Sequence, residues 1–425
     1  MTEVAGKRIL LSAYACEPGR GSEPGVGWNW ALTLAGQGHR MWVLTRRNNQ
    51  SRIEGAWSQL PQEVASRLAF IYYDLPRWAS WWKKGGRGVQ IYYALWQRSI
   101  LAVAREAHRT HQFDVAHHLT FGVWRQPSLL YKLGIPLIFG PVGGGESAPA
   151  VLRRTLSPKD RLTEFARDLV NAASLLNPSL RACLTRAALV VCKTPESTVW
   201  VRRCGARSVA EFLEIGISAQ DLVPRDSVRK SGEPLRCLFA GRLVGMKGVH
   251  LAVSALGLSR DAGLAVSLTI IGEGPMRRQL QRQVEDLGLQ ERVRFIPWLS
   301  QADLFQQYRE HDVLLFPSLH DSSGNVVLEA MAHGLPVVCF KLGGPGVIVD
   351  KTCGIPAVPS DLDALASVDL LAKALLRLAN DCEGWRQLHH GALARARNAT
   401  WERTTGAIYG CEALQEPAAT SFESR

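Results

Sequence analysis

Four charged residues have the types and spacing to hold a diphosphate and the sugars on either side of it. Arg242 and Lys247 stand five residues apart in GRLVGMKG (241–248), and Asp321 and Glu329 eight apart in HDVLLFPSLHDSSGNVVLEAMAHGLP (311–336). Arginine offers a planar fork for paired oxygens and lysine a point charge, so two cations around a glycine turn at a strand end suit one polyanion. Val326, Val327, Ala330 and Met331 recur at three-to-four-residue spacing, which predicts a helix ended by Gly334 and Pro336. The backbone N–H groups around Ser323, Gly324 and Asn325 would then form a helix tip that favours an anion. With Asp321 and Glu329 bracketing that tip, the ligand described is phosphate flanked by sugars, a nucleotide sugar. The bland reading stays open on this stretch alone: Asp321 and Ser323 cap the helix and Glu329 is solvated.

Elements that position these residues are legible around them. Val313 to Phe316 reads as a buried parallel strand, and Arg236 to Ala240 as another that leads through Gly241 into a helix from Val249 to Leu258. Leu268 to Gly274 and Val293 to Ile296 are further strands, the latter followed by Trp298. Asp361 to Asn380 is an outer helix, where the D-x-D match at Asp361 and Asp363 suits capping better than a metal. The first half repeats the scheme. Lys7 to Ala15 and Met41 to Thr45 are strands around a helix from about Pro24 to Ala35, and Ser22 is placed to cap that helix. The turn between them has glycines at 19, 21, 25 and 27, which is neither G-x-G-x-x-G nor a Walker loop, so dinucleotide and P-loop enzymes are disfavoured. Phe113 to Gly122 runs a strand into a loop at His117 and His118. Alternation puts those two on opposite faces, so one of them, with His118 favoured, should reach a ligand at the strand end. Leu137 to Gly140 precedes a glycine loop ending at Glu146, residues 151–187 form a basic helical stretch, and Leu189 to Lys193 and Phe212 to Ile217 complete the first sheet. Residues 221–235 read as a linker, which gives domains at 1–220 and 236–400 and a terminal segment at 401–425.

The segments 241–248 and 311–336 resemble the retaining GT-B glycosyltransferases of family 4. G-R-L-x-x-x-K-G matches residue for residue, and Asp321 and Glu329 have the spacing of the family's two acids before A-M-A-x-G-x-P. The first acid is usually Glu followed by Gly-Phe, where this chain has Asp321 and Ser322-Ser323. The resemblance implies an α/β fold of two Rossmann-like, doubly wound domains facing a cleft. It implies a hexose donor, UDP- or GDP-linked, and a glycan or polyprenyl-linked acceptor in polysaccharide assembly. It assigns Arg242 and Lys247 to the leaving diphosphate, Glu329 to the ribose, Asp321 to the sugar, and Trp298 to the nucleobase pocket. Gly21 and Ser22 would sit in the family's glycine loop, and His117 or His118 near the transferred sugar. The terminal segment would return to the first domain. No metal or other cofactor is implied, since Arg and Lys supply the cations. Two rivals remain, a nucleotide-sugar epimerase or hydrolase on the same fold and a non-catalytic sugar-nucleotide-binding partner of a polysaccharide complex.

Composition sets the outer bounds. The 425 residues exceed what one core usually serves, and 46% hydrophobic with 21% charged residues is an ordinary globular balance. Nine cysteines without a C-x-x-C pair argue for buried thiols in a reducing compartment and against zinc. With no leader-like or membrane-spanning run, the expectation is a cytoplasmic protein. The net charge of +12 is uneven: residues 1–220 carry 28 Lys/Arg against 15 Asp/Glu, and residues 221–425 carry 22 against 23. No nucleic-acid motif accompanies the basic half, so an anionic membrane surface is the better candidate partner. Residues 75–100 interleave Trp78, Trp81, Trp82, Tyr92, Tyr93 and Trp96 with Arg77, Lys83, Lys84 and Arg87. They suit either a lipid-headgroup surface or a core helix behind a basic loop.

Overall fold

The computed structural model describes residues 6–83, 88–225, 229–230 and 232–411. These fall into two compact units. The first takes residues through Gly145, Asn171–Glu214 and the chain from Trp401 on; the second takes Glu146–Val170 and Ile215–Thr400. The change of unit thus lies at 214/215 rather than in the 221–235 stretch, and residues 146–170 group with the second unit instead of the first. Residues 226–228 and 231 of the expected linker, and 412–425 of the terminal segment, lie outside the described residues.

The first unit is built on seven strands: β1 (Arg8–Ser12), β2 (Arg40–Thr45), β3 (Leu68–Tyr72), β4 (Val115–His118), β5 (Leu137–Val142), β6 (Leu189–Cys192) and β7 (Val209–Glu211). They pair in parallel in the order β3-β2-β1-β4-β5-β6-β7. The second unit has six, β8 (Leu235–Ala240), β9 (Val266–Ile271), β10 (Val293–Ile296), β11 (Val313–Phe316), β12 (Val337–Phe340) and β13 (Gly354–Ala357), parallel in the order β10-β9-β8-β11-β12-β13. Both are doubly wound. In each the strand order reverses beside the first strand, between β1 and β4 and between β8 and β11, and that reversal opens the crevice where such sheets take ligands. Helices cover both faces of parallel sheets, so central strands can be apolar throughout; all four residues of β11 and of β12 are buried.

Several expected elements shift. Phe212 to Ile217 is not a strand: β7 ends at Glu211, a last bond joins Phe212 N to Cys192 O at 3.0 Å, and Glu214 O accepts from Trp30 Nε1 at 2.8 Å. Residues 343–348, beyond β12, form a short helix. Ser22 does not cap its helix. The cap is Gly21, without a side-chain bond, and Ser22 itself sits in the left-handed region at φ 60°. Asp363 does cap its helix, accepting from Leu365 N and Ala366 N, as its position suggests. Of the 75–100 aromatics, Tyr92, Tyr93 and Trp96 are core residues of helix Val89–His111, while Trp78 and Trp81 are exposed. Lys83 lies 4.8 Å over the Tyr92 ring. Lys84, Arg87 and the side chain of Arg77 lie outside what is described.

Candidate active site

The reversal point of the second sheet brings Lys247 and Asp321 together. β8 ends at Ala240 and β11 at Phe316, and the two loops that follow are bound to each other: Leu319 N donates to Met246 O at 2.9 Å and Ser318 Oγ to the same oxygen at 3.2 Å. Gly248 makes this contact possible. It sits at φ +68°, and a Cβ there would lie 1.8 Å from Pro317 O, so only glycine lets the two backbones meet. Lys247, one residue before it, is thereby aimed across the gap. Its ammonium pairs with the Asp321 carboxylate and lies 5.4 Å from the Phe316 ring centre. The other Asp321 oxygen accepts from Ser323 N at 3.3 Å and Gly324 N at 3.4 Å, so the carboxylate rests on the tip of helix Asn325–Ala332. The start of the short helix at 343–348 closes behind it, Gly344 N donating to Asp321 O at 2.7 Å. Gly343 is in the left-handed region, and a Cβ there would meet that same Asp321 oxygen at 2.3 Å.

Neither Asp321 nor Ser323 caps the helix: the cap is Gly324, without a side-chain bond, and the Asp321 carboxylate instead joins the lysine to the turn just ahead of the helix. Arg242 is exposed, next to Gly241 at the end of β8. The side-chain oxygen of Asn325, in the first helical turn, is withdrawn from solvent and has no hydrogen-bond partner among the described residues. Glu329 accepts from Tyr308 OH at 3.3 Å. Burial pushes its carboxyl up to about 7 and the Asp221 charge adds to this, while hydrogen bonds from Tyr308 and Gln301 pull the other way. Trp298 is 70% exposed beyond β10.

A raised carboxyl has a definite consequence for the unliganded protein. Between the ordinary value of 4.5 and about 7 the folded state holds a proton at Glu329 that the unfolded chain has released, so this group's contribution to stability is lost as pH rises through that window. Glu329→Gln removes the effect. Its melting temperature should gain on wild type from pH 4.5 to about 7 and level off by 8, by the equivalent of about 3 kcal/mol in all, and a pH-independent difference would refute the assignment.

A further group of charges within this unit was not legible in the sequence. His320, beside Asp321, has its ring 2.6 Å (Nε2) from Arg167 Nη1, 3.5 Å from Glu146 Oε2 and 3.8 Å (Nδ1) from Glu164 Oε1. Arg167 donates to Glu146 O at 2.6 Å and to Glu164 at 2.9 Å. Burial raises the Glu164 carboxyl, countered by Arg167 and Arg153, and lowers the Arg167 guanidinium. Asp160 lies against Gly245 of the lysine loop, where a Cβ would come within 2.9 Å of its carboxylate. The available signals were slight: His320 adjoins a chosen acid, and Glu146 ends a glycine run.

In the first unit neither histidine opens toward a ligand. His117 is fully buried, with Nδ1 2.9 Å from Tyr409 OH and Nε2 2.7 Å from Gly140 O. His118 is 1% exposed, with Nε2 3.1 Å from Tyr93 OH and Nδ1 3.4 Å from Gln97. Alternation does put them on opposite faces, but helices cover both, so the expectation that one is free fails. Burial lowers their basicity to about 4 and about 3. Near Gly21 and Ser22, Glu17 pairs with Arg20 and Arg52, and Lys193 and Glu214 form a buried pair at 2.5 Å. Among the described residues no group of three His, Cys, Asp or Glu is placed to hold a metal, and no helix is long and apolar enough to cross a membrane.

Comparison with known proteins finds likeness in sequence over the second unit and in fold over the chain. Residues 234–381 match the family described as Glycosyl transferases group 1, which covers the lysine loop, the helix tip and both acids. Among curated relatives, a D-inositol 3-phosphate glycosyltransferase of Saccharomonospora viridis is 35% identical over 179 residues, 40% of each chain. The amylovoran biosynthesis glycosyltransferase AmsK of Erwinia amylovora is 31% identical over 199 residues, 44% of this chain and 46% of its own. The chain thus spans less than half the length of these relatives. Solved structures match throughout at lower identity. A sucrose-phosphate synthase of Thermosynechococcus elongatus has a TM-score of 0.62 and 18% identity, covering 95% of this chain and 98% of its own. Anabaena HepE, solved with UDP and glucose, has a TM-score of 0.59 and 17% identity, covering 97% and 100%. These likenesses fit the GT-B class of two Rossmann-like domains.

Proposed function

We propose that the chain is a retaining glycosyltransferase of family 4. It moves a hexose from a UDP- or GDP-sugar to a hydroxyl of a glycan or lipid-linked acceptor in exopolysaccharide, capsule or lipopolysaccharide assembly. The observation that carries this reading is the Lys247–Asp321 pair over a helix tip at the β8/β11 reversal point. It is a cation held beside an anion-binding tip, with an acid that can change partner. A relative named for amylovoran biosynthesis and a fold neighbour solved with UDP and glucose support the same direction.

In this reading the diphosphate takes the place of the Asp321 carboxylate against Lys247, and Arg242 swings in from solvent. Asp321, released, accepts from hydroxyls of the sugar. Glu329 binds the ribose hydroxyls as a carboxylate, and the Asn325 side chain, whose oxygen has no partner among the described residues, gains one from the ligand. The anomeric carbon's bond to the diphosphate oxygen breaks while its bond to the acceptor oxygen forms on the same face. The acceptor proton passes to the departing diphosphate. Lys247 and Arg242 stabilise the charge that grows on that leaving group, which is the largest contribution to rate expected in such a site. The cations are the protein's own, and no metal enters the scheme. His117 and His118 have no place at the reacting atoms, since their ring nitrogens are engaged inside the first unit.

The test is product analysis with UDP-glucose or GDP-mannose and a polyprenyl-diphosphate-linked sugar. A glycoside with the donor's anomeric configuration is expected. An inverted product, an epimerised donor, or free sugar formed equally fast without acceptor would overturn the proposal. Binding of nucleotide without turnover of either donor would favour a non-catalytic partner.

A further inference from the structure

The helix Pro158–Ser174, PKDRLTEFARDLVNAAS, is built inside out. Surface helices normally turn their apolar stripe to the core and their charges to water. Here the charges point inward: Glu164 is 3% exposed and bonded to Arg167, and Asp168 pairs with Arg153 at 2.6 Å. The apolar stripe points outward, with Leu162 68%, Phe165 65% and Leu169 62% exposed at positions i, i+3 and i+7. Lys159 and Arg161 flank that stripe and are exposed, whereas Glu164 is buried, Asp160 is partly buried, and the Asp168 side chain, 37% exposed, is held by Arg153. The helix cannot roll its stripe inward without breaking the pairs that hold Glu164, Arg167 and Asp168.

We propose that this face docks on an anionic lipid surface. Leu162, Phe165 and Leu169 would enter the boundary between headgroups and acyl chains, and Lys159 and Arg161 would meet the anionic headgroups. Charge complementarity selects this occupant over a second copy of the chain. An apolar stripe flanked by two exposed cations complements a surface that is apolar beneath and anionic above, whereas in a second copy the exposed acid of this helix, Asp168, is already held by Arg153. The helix lies on the surface and does not span it. The proposal is independent of the transfer reaction, and its test needs no donor or acceptor.

The test is sedimentation of the full-length protein with phosphatidylcholine vesicles, with and without phosphatidylglycerol, over a salt series. Binding should require phosphatidylglycerol and weaken with salt. It should fall about tenfold or more in Leu162→Ser/Phe165→Ser/Leu169→Ser and in Lys159→Glu/Arg161→Glu. Because these side chains are exposed, melting temperature and circular dichroism should match wild type, which separates lost docking from misfolding. Wild-type binding by the triple serine variant, or no binding at millimolar phosphatidylglycerol, overturns the proposal. So does loss of binding only in Trp78→Ser/Trp81→Ser, which would move the surface to the first unit. A dimer in sedimentation velocity that the serine variant converts to monomer would show that the face meets a second copy instead.

Discussion

Lys247→Ala should lower the rate of sugar transfer by about 10² to 10³-fold while leaving the fold intact. The loss is large because the lysine is aimed rather than merely present. Gly248 fixes the loop against Pro317, and Asp321 and the Phe316 ring hold the ammonium at the helix tip before any ligand arrives. A charge organised in advance costs no reorganisation when the diphosphate departs. Lys247→Arg tests this geometry. It keeps the charge on a longer, planar group, and it should recover only part of the rate because the loop cannot retreat. Arg242 starts exposed, so Arg242→Ala should cost less than Lys247→Ala. Equal rates for wild type and Lys247→Ala in single-turnover transfer would remove the lysine from the mechanism.

The largest stability effect should come from Asp312→Ala. Asp312 is 1% exposed, immediately before β11. It accepts from Arg225 Nη1 at 2.8 Å, Arg236 N at 2.9 Å, and Arg236 Nε and Nη2 at 3.0 Å each. The Arg225 side chain is itself only 3% exposed, with its guanidinium 5.4 Å from the Trp385 ring centre. Removing the carboxylate takes the counter-charge away from that buried guanidinium, which should cost about 3–5 kcal/mol in urea unfolding. Arg236→Ala should cost much less, because that side chain is 46% exposed and screened by water. The pH dependence has a fixed sign. Burial works to raise the Asp312 carboxyl, but hydrogen bonds from Arg236 and Arg225 outweigh it and hold the group below its ordinary 3.8. Its stabilisation is therefore complete above that value and lost as pH falls below it, so the gap between wild type and Asp312→Ala should close in acid. A gap that persists there would mean packing, not charge, sets the cost.

The strand–loop–helix at 311–336 and the cation loop at 241–248 were legible because each is local. An apolar run, glycines at fixed offsets and a 3.6 period say where a strand ends and a helix begins, and the strand ends locate the crevice. What stayed hidden depends on segments distant in sequence. Glu146, Glu164 and Arg167 reach His320 from more than 150 residues away, and nothing in their local pattern marks them. The helix that carries Glu164 and Arg167 reads only as part of a basic helical stretch at 151–187; the structure alone shows which face turns inward. The histidines and the aromatics of 89–111 misled for a related reason. Residue type suggested chemistry or lipid contact, but a parallel sheet covered on both sides buries whatever its central strands and covering helices carry. Ser22 failed as a cap because Gly21 takes that place and turns it into the left-handed region.

On the proposed function, the second unit holds a nucleoside diphosphate at the meeting of the 241–248 and 318–324 loops. Isothermal titration of the full chain with UDP, GDP, ADP and dTDP tests it most directly, repeated on Lys247→Ala. One nucleotide should bind and lose about tenfold or more in affinity in the variant, equivalent to one charge-assisted contact. Absence of binding by all four at millimolar concentration, or equal affinity in wild type and Lys247→Ala, would contradict the account.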